Sequence, residues 1–207
     1  MIISYQGKQS FKVQFGDTVL AFDPISKESN LKSGSFGADI ALISVNHKDM
    51  NGSGQANRGE KEAFVVKGPG EYEVKGIFVK GVQSVSRYGG SEIINTIYSV
   101  NLENMNLCFL GALAEPTLSS EALESIDHVD ILFVPIGGEG VLGPAEAYRT
   151  AVSLEPAIII PMNYSELSLK QFMKEAGQEN VGAIDKLTIK KKELDGRQGE
   201  IVVLSVQ

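Results

Sequence analysis

The sequence has little histidine and cysteine, the side chains that most often bind zinc in proteins. Its two histidines are His47 and His128, and its one cysteine is Cys108. A single cysteine excludes an internal disulfide, which agrees with a reducing compartment. Because Cys108 lies in an apolar string at positions 107–110, we expect a buried and inert thiol rather than a nucleophile.

Long apolar runs are also missing. No apolar stretch approaches the roughly 18 residues that would suggest a membrane-spanning helix. The first residues, Met1–Tyr5, read as a strand, whereas a signal peptide has a charged region followed by an apolar one. We therefore expect a soluble, cytoplasmic protein with no membrane partner.

Positive charge is scarce and scattered. The 207 residues include 26 acidic and 19 basic ones, a formal net charge of −7, and the only basic cluster is Lys190–Lys192 with nearby Lys186. A nucleic-acid partner is not expected, because its groove would need a clustered positive surface. The lysine run stands beside Glu193 and Asp195 and so favours a solvated strand edge or turn.

Short strands separated by glycine turns are predicted over the first two thirds of the chain. Apolar residues there alternate or form short runs, and Gly16-Asp17 suits a tight hairpin. Gly68-Pro69-Gly70 must turn sharply, because proline fixes one dihedral angle and the glycines accept the others. The predicted strands are Ile2–Gln6, Ser10–Phe15, Thr18–Asp23, Asp39–Ser44, Ala63–Val66, Tyr72–Val74, Ile77–Val82, Asn95–Leu102 and Met105–Leu110.

Helices and buried strands are predicted in the last third. Ser119 suits a helix cap before an acidic first turn, Pro144 suits a first helical turn, and Gly177 stops a helix. The predicted helices are Ser119–Ile126, Pro144–Leu154 and Ser168–Ala176, the buried strands are Val129–Pro135 and Ala157–Met162, and a closing hairpin joins Lys186–Glu193 to Gly199–Val206. Since no repeat or linker separates these elements, we expect one α/β sandwich domain over residues 1–207.

The segment Ser44–Asn51 has the pattern of a metal-binding loop. It follows an apolar run, Ile40–Ile43, where a strand should end. His47 and Asp49 are two residues apart in a non-helical segment. An extended backbone would point both side chains the same way, as two ligands of one metal ion require.

Six further strings accompany this loop. They are Tyr5-Gln6-Gly7, Leu20-Ala21-Phe22-Asp23-Pro24, Gly68-Pro69-Gly70-Glu71-Tyr72-Glu73-Val74, Phe109-Leu110-Gly111, the run at positions 129–138, and Ile160-Pro161-Met162-Asn163-Tyr164. In this order they resemble the metallo-β-lactamase fold superfamily, in particular its small branch of zinc-dependent hydrolases related to the ascorbate-phosphate lactonase type. The resemblance implies a four-layer αβ/βα sandwich, in which two mixed β-sheets are flanked by helices.

In that superfamily, a His-x-His-x-Asp-His loop supplies ligands to one or two zinc ions, together with a later histidine, a bridging aspartate and a final histidine. The seven corresponding positions here are Val45, His47, Asp49, Met50, Ser86, Ala112 and Asn163. Only His47 and Asp49 keep a side chain that suits zinc. A further family histidine, in a Gly-His pattern, corresponds to Lys8.

These departures predict that no dinuclear metal centre forms. Zinc usually takes three protein ligands and a water, and Ala112 replaces the carboxylate that would bridge two ions. We therefore expect no resident cofactor. The alternative is one weakly bound zinc ion on His47 and Asp49, assisted by Glu115 or Asn163.

Without a metal, the catalytic role that the family gives to the aspartate at Asp49, activation of a bound water, loses its basis, because nothing lowers the pKa of that water. His47 and Asp49 then form either a metal-free acid–base pair or a hydrogen-bonded pair in a filled pocket. In the family, the aspartate at Asp23 supports the site from outside the metal shell, and fixing a loop is an equal alternative for it.

Three other side chains have two interpretations each. Glu71 and Tyr72 follow the Gly-Pro-Gly turn, where they border the cleft or stabilise the turn, and a turn-stabilising carboxylate is favoured. His128 lies between a predicted helix and a predicted strand, so a surface or capping role is favoured over a functional one.

Three functions remain open. The first is a degenerate superfamily member that acts as a binding or assembly module for an unknown small molecule or protein, as the loss of five of the seven ligand positions suggests. The second is a metal-dependent hydrolase of an ester, lactone or phosphate substrate with a reduced one-metal site, which rests on the fold, His47 and Asp49. The third is a structural subunit with a filled cleft. Homo-oligomers are common among such sandwiches.

Overall fold

A computed structural model describes residues 1–32, 34–179 and 181–207, which form strands, three α-helices and connecting turns. The strands, in chain order, are β1 (Ile2–Gly7), β2 (Ser10–Phe15), β3 (Thr18–Phe22), β4 (Ile40–Ile43), β5 (Phe64–Lys67), β6 (Gly70–Val74), β7 (Ile77–Ser86), β8 (Ile93–Leu102), β9 (Met105–Phe109), β10 (Ile131–Pro135), β11 (Ile158–Met162), β12 (Leu187–Thr188) and β13 (Glu200–Ile201). The helices of these residues are α1 (Ser120–Ser125), α2 (Pro144–Ser153) and α3 (Glu166–Glu175).

These strands form two mixed sheets. The first sheet has the order β12-β1-β2-β3-β4-β5, and the second has the order β13-β11-β10-β9-β8-β7-β6. In each sheet, antiparallel hairpins lead into a parallel part, which is β3-β4-β5 in the first and β9-β10-β11-β13 in the second. The predicted strands are therefore present, but β7 and β8 continue through polar residues until Ser86 pairs with Ile93.

The main core lies between the two sheets. Phe11 of β2 contacts Phe133 of β10 at 4.8 Å between ring centroids, and Phe22 of β3 contacts Phe109 of β9 at 4.9 Å. All four rings are fully buried. Burying such a side chain contributes about 1.5–3 kcal/mol, so these rings hold the two sheets face to face.

The three helices of the described chain pack on the outer face of the second sheet, where their apolar residues join its core. The hydroxyl of Ser119 caps α1 by accepting the Ala122 N–H at 3.1 Å, as predicted. Helix α3 begins earlier than predicted, because Ser165 caps it, and it ends before Gly177, whose φ is +66°. No helix among the described residues is long and apolar enough to cross a membrane.

The outer face of the first sheet is covered differently. Small buried side chains there meet a 3-10 turn at Ser53–Ala56 and irregular chain around it, and this cluster contains Ala21, Ala38, Ala41, Ala56 and Ala63. Alanine lets the covering chain come close to the strands without a helix. The four-layer sandwich of two mixed sheets is thus confirmed, with irregular chain as its fourth layer.

The predicted closing hairpin is wrong. Strand β12 pairs antiparallel with β1 in the first sheet, whereas β13 pairs parallel with β11 in the second. Each short strand satisfies the backbone hydrogen bonds of a different sheet edge, which apolar patterning alone could not distinguish from mutual pairing. The lysine run between them is an exposed 3-10 turn, Lys191–Glu193, as the prediction of a solvated turn required.

Candidate functional site

Parallel strands of both sheets end at the same side of the sandwich. The loop that follows β4 carries His47 and Asp49, Gly111 and Ala112 follow β9, and Asn163 follows β11. Because the carboxyl ends of parallel strands are the usual place for a site in α/β proteins, this is the candidate functional site.

The β4 loop folds into tight turns. The amide of Met50 donates to the carbonyl of His47 at 2.8 Å, and the amide of His47 donates to the carbonyl of Val45 at 2.9 Å. These turns bury Val45 and Met50, whereas the side chains of His47 and Asp49 keep 27% and 13% exposure. The loop therefore divides its side chains into an apolar inner set and a polar outer pair.

Each oxygen of the Asp49 carboxylate already has a hydroxyl partner. The carboxylate accepts the Ser29 hydroxyl at 2.5 Å and the Tyr88 hydroxyl at 2.7 Å, one on each oxygen. Burial opposes ionisation of Asp49, but these two hydrogen bonds, with smaller contributions from His47 and Lys8, outweigh it and lower the pKa of the carboxyl. Asp49 is therefore ionised at neutral pH and bound by neutral hydroxyl donors.

The His47 imidazole is held by the same loop. Its Nδ1 accepts the backbone N–H of Asp49 at 3.2 Å and lies 3.6 Å from Oδ2 of Asp49. Its ring meets the ring of Tyr88 edge to face at 4.9 Å. The Nζ of Lys8 lies 5.0 Å from the centre of the same Tyr88 ring and forms a cation–π pair with it.

Behind this polar pair, the positions of several family ligands are occupied by an apolar plug, which we define as Val45, Met50, Ala112 and Val141. These four side chains are buried in one cluster, with exposures of 1%, 0%, 0% and 6%, and Tyr88 and Ile93 pack against it. Three plug residues stand where the resemblance places zinc ligands. The plug fills that part of the site with carbon and one thioether sulfur.

Of the other candidate ligands, Ser86 and Glu115 have hydrogen-bond or ion-pair partners through their side chains, and Asn163 is held through its backbone. Ser86 is fully buried at the end of β7 and accepts the Tyr88 amide at 3.1 Å. The backbone N–H of Asn163 donates to the carbonyl of Lys8 at 2.6 Å, in a left-handed backbone conformation with φ +52°, whereas its buried side-chain Nδ2 has no hydrogen-bond partner among the described residues. Glu115 pairs with Arg87 at 2.7 Å.

These residues do not fit a zinc ion. Within residues 1–32, 34–179 and 181–207, no three His, Cys, Asp or Glu side chains come together as a metal site requires. His47 and Asp49 offer two ligand side chains, and the imidazole Nδ1 and both carboxylate oxygens already accept hydrogen bonds. The donor set has neither the number nor the geometry of a zinc centre.

Asp23 ties the ends of two strands together. It is fully buried, with φ +41°, and its carboxyl group accepts hydrogen bonds from the Ser44 backbone N–H at 2.7 Å and the Ser44 hydroxyl at 2.5 Å. Burial raises the pKa of Asp23 to about 8, although both hydrogen bonds from Ser44 oppose the rise. These contacts fix the loop that starts at Ser44.

Three residues of this site were not predicted from the sequence. They are Tyr88 and Ser29, which hold Asp49, and Asn95, whose side chain accepts the Ala112 amide at 2.8 Å and donates to the carbonyl of Leu110 at 2.9 Å. Tyr88 stands directly before Gly89-Gly90, so an aromatic residue at the tip of a glycine turn was the one available signal.

Tyr72, Glu71 and Cys108 contact other parts of the fold outside the candidate site. The hydroxyl of Tyr72 lies 3.3 Å from the carbonyls of Gly68 and Pro69, so Tyr72 braces the turn. The expected turn-stabilising carboxylate is wrong, because Glu71 faces Lys80 across the β6-β7 pair instead. Cys108 is buried, as predicted, and burial raises the pKa of its thiol to about 12.

Comparison with known proteins gives consistent results. A family model described as the beta-lactamase superfamily domain matches residues 2–163. A UPF0173 metal-dependent hydrolase of Listeria welshimeri is 23% identical over 202 residues, covering 82% of this chain and 87% of that protein. The UPF0173 metal-dependent hydrolase YtkL of Bacillus subtilis is 22% identical over 219 residues, covering 90% and 96%.

Solved structures have the same architecture. A Zn-dependent hydrolase of the metallo-beta-lactamase superfamily from Thermotoga maritima superposes with a TM-score of 0.78 at 24% identity, covering 100% of this chain and 99% of that one. The metallo-beta-lactamase fold protein YhfI of Bacillus subtilis gives a TM-score of 0.62 at 9% identity, covering 99% and 97%. At these identities, the structural likeness establishes the fold alone.

Proposed function

This chain belongs to the β-lactamase superfamily and has the metallo-β-lactamase fold, and we propose that it is a member without a metal centre that acts as a binding or assembly module. The observation that carries the proposal is the apolar plug. Val45, Met50 and Ala112 pack against Val141 at positions where the family resemblance expects zinc ligands. A dication beside these side chains would lose its hydration without gaining donors.

Loss of the metal removes the hydrolytic step. A zinc-dependent hydrolase needs the ion to generate hydroxide near neutral pH. Asp49 does not replace that function, because each of its oxygens accepts a hydrogen bond, one from the Ser29 hydroxyl and one from the Tyr88 hydroxyl. Nδ1 of His47 does not act as a base, because it accepts a hydrogen bond from the backbone N–H of Asp49. The pair therefore closes the β4 loop.

The metal content of the purified protein tests the proposal. Protein prepared without chelator and analysed by elemental mass spectrometry is expected to hold far less than one zinc per chain, with the same result for His47→Ala and for the matched loop variant Lys48→Ala. Stoichiometric zinc that His47→Ala abolishes and Lys48→Ala retains would contradict the proposal.

A second candidate function is a hydrolase of an ester, lactone or phosphate substrate with one weakly held zinc ion. It is favoured by the 3.6 Å approach of His47 to Asp49 and by relatives that are named metal-dependent hydrolases. It predicts turnover that rises with added zinc and disappears in Asp49→Asn. The binding module predicts no zinc-dependent turnover of any of the three substrate classes.

We also propose where the protein acts and which kinds of molecule it binds. We place the module in the cytoplasm, as one domain over residues 1–207 with an unknown small-molecule or protein partner and no nucleic-acid or membrane partner, which the net charge of −7 supports. Self-association is part of the proposal as a homo-oligomer. Light scattering coupled to size-exclusion chromatography measures it directly.

A further inference from the structure

A cavity of about 860 Å³ lies at the opposite end of the strands from the apolar plug. Its walls are the start of β10, the end of α2, Lys191 and the segment 194–199, with the start of β11 between them. This volume is within the range of roughly 300–1,000 Å³ that is typical of small-molecule sites. No family ligand position lies in this cavity.

A buried carboxylate anchors one wall. Asp130 is 2% exposed, and both of its oxygens accept Nζ of Lys191 at 2.7 Å. It also accepts the Asn106 amide at 2.8 Å, and Nε2 of His128 lies at 3.1 Å. Asp130 therefore fixes two nitrogen-bearing side chains, Lys191 and His128, in the cavity wall.

The ionisation of Asp130 supports this arrangement. Burial opposes the charge on this carboxyl, but hydrogen bonds from Lys191 and Asn106 outweigh burial and lower its pKa. Two of the three N–H donors of the Lys191 ammonium are used on Asp130, which leaves one for a bound molecule. The wall thus offers a fixed cation with a spare donor.

A glycine-bounded turn forms the facing wall. Gly196 and Gly199 have φ of +80° and +63°, and the Gly199 amide donates to the carbonyl of Pro156 at 2.7 Å, which attaches the turn to the start of β11. Arg197 lies between the glycines and lines the cavity. Its pair with Glu200, at 3.2 Å, is half exposed, and such surface pairs are weak enough to exchange for a ligand.

Two acids complete the lining. Glu155 and Asp195 both face the cavity, and neither forms an ion pair within the described residues. A purely anionic ligand would meet these acids, and a purely cationic one would meet Lys191 and Arg197. A molecule with both charges satisfies both sets.

We propose that this cavity binds a small zwitterion, an α-amino acid or a short peptide, whose carboxylate pairs with Lys191 and Arg197 and whose ammonium pairs with Glu155 and Asp195. Val152 and the ring of Tyr148 supply an apolar wall for the side chain of the ligand. The inference specifies the binding role proposed above. Its outcome is separable from the metal question, because zinc content is measured independently and concerns the other end of the strands.

The test is a binding screen by calorimetry and thermal shift with the free proteinogenic amino acids and a dipeptide set. At least one is expected to bind, and capping either its amino or its carboxyl group should weaken binding at least about tenfold, equivalent to 1.4 kcal/mol. Arg197→Gln should weaken binding to a similar degree. Lys192→Gln, in the neighbouring exposed turn, should leave it unchanged.

A steric variant guards against effects of charge alone. Val152→Trp places a large ring at the cavity wall from a site that is 48% exposed on α2, so folding should be retained, and binding should be lost. Leu167→Trp, at a 67% exposed site on α3, is the matched control with binding intact. The proposal is overturned if no amino acid or dipeptide binds, if capped ligands bind equally well, or if Val152→Trp and Arg197→Gln both bind normally.

Discussion

The two ends of the parallel strands differ in what occupies the space between their loops. At the carboxyl ends, the apolar plug is buried, and the partly exposed His47 and Asp49 form a polar layer over it. At the amino ends, Asp130 and Lys191 line an open cavity of about 860 Å³. The same sheets thus present one closed end and one open end.

Side-chain type accounts for this difference. Apolar side chains that meet at strand ends exclude water and collapse, because burying them is favourable by about 25 cal/mol per Å². Charged side chains such as Lys191 and Arg197 need hydration or a partner, so they keep their surroundings open. The fold therefore sets where the loops meet, whereas the residue types decide which of these places a ligand can enter.

The largest expected effect comes from opening the closed end. Met50→Asp would bury an unpaired carboxylate in the plug and should lower the free energy of unfolding by about 3–5 kcal/mol in chemical denaturation. Met50→Leu is the control, and as a hydrophobic exchange of similar size it should lower stability by less than about 1.5 kcal/mol. Equal stability of the two variants would show that the plug is not closed.

A pH effect of comparable size is expected at Asp23. The pKa of this carboxyl is about 8 in the fold, above its ordinary value of 3.8, so the folded state retains a proton that the unfolded state releases. Stability should therefore fall as pH rises from 4 to 8, by up to about 1.4 kcal/mol per pH unit, and change no further above 8.

Asp23→Asn should remove this dependence, because the amide keeps partners for Ser44 and asparagine tolerates the positive φ. Unfolding curves at several pH values measure the slope. Asp17→Asn, in the exposed β2-β3 hairpin, serves as the comparison and should keep the wild-type profile. A variant Asp23→Asn with the wild-type slope would contradict the assignment.

A smaller effect is expected at the open end. Lys191→Met removes the main partner of Asp130 and should lower stability by about 1–2 kcal/mol at neutral pH, less than a fully buried pair because Lys191 is 44% exposed. The pKa of Asp130 is lowered in the fold, so the stabilisation is present above its ordinary value and is lost as pH falls below about 4. Lys192→Met should change stability by less than about 0.5 kcal/mol.

The smallest effect concerns the polar layer. Tyr88→Phe keeps the ring against His47 and the plug but removes the hydroxyl that Asp49 accepts, which should lower stability by about 0.5–1.5 kcal/mol. The pKa of Asp49 should rise, as measured by NMR titration of its carboxyl carbon. An unchanged Asp49 pKa in this variant would be inconsistent with the hydrogen bond.

The fold was largely predictable, because its signals are local. Ser119 caps α1, and Gly16 lies in the turn that joins β2 to β3. Both features depend only on residues that are close in the sequence. The partners of β12 and β13 were not predictable. Both segments are short and apolar, and nothing in their sequences distinguishes pairing with β1 from pairing with β11.

The candidate site was predictable only in part. His47 and Asp49 are close in the sequence and lie together in the fold, and Asp23 binds the start of their loop through Ser44. Val141 joined the plug without any sequence signal, because its contact with Val45 depends on how far apart the loops after β4 and β10 lie. The open cavity depends in the same way on three distant segments.

The separate placement of β12 and β13 has a consequence for solubility. Each of these two-residue strands covers an outer strand, β1 in one sheet and β11 in the other. Without the chain from residue 186 onward, both sheets would expose a row of unpaired backbone N–H and C=O groups, which can template pairing with other molecules. The chain from residue 186 onward therefore protects two sheet edges against intermolecular β-pairing.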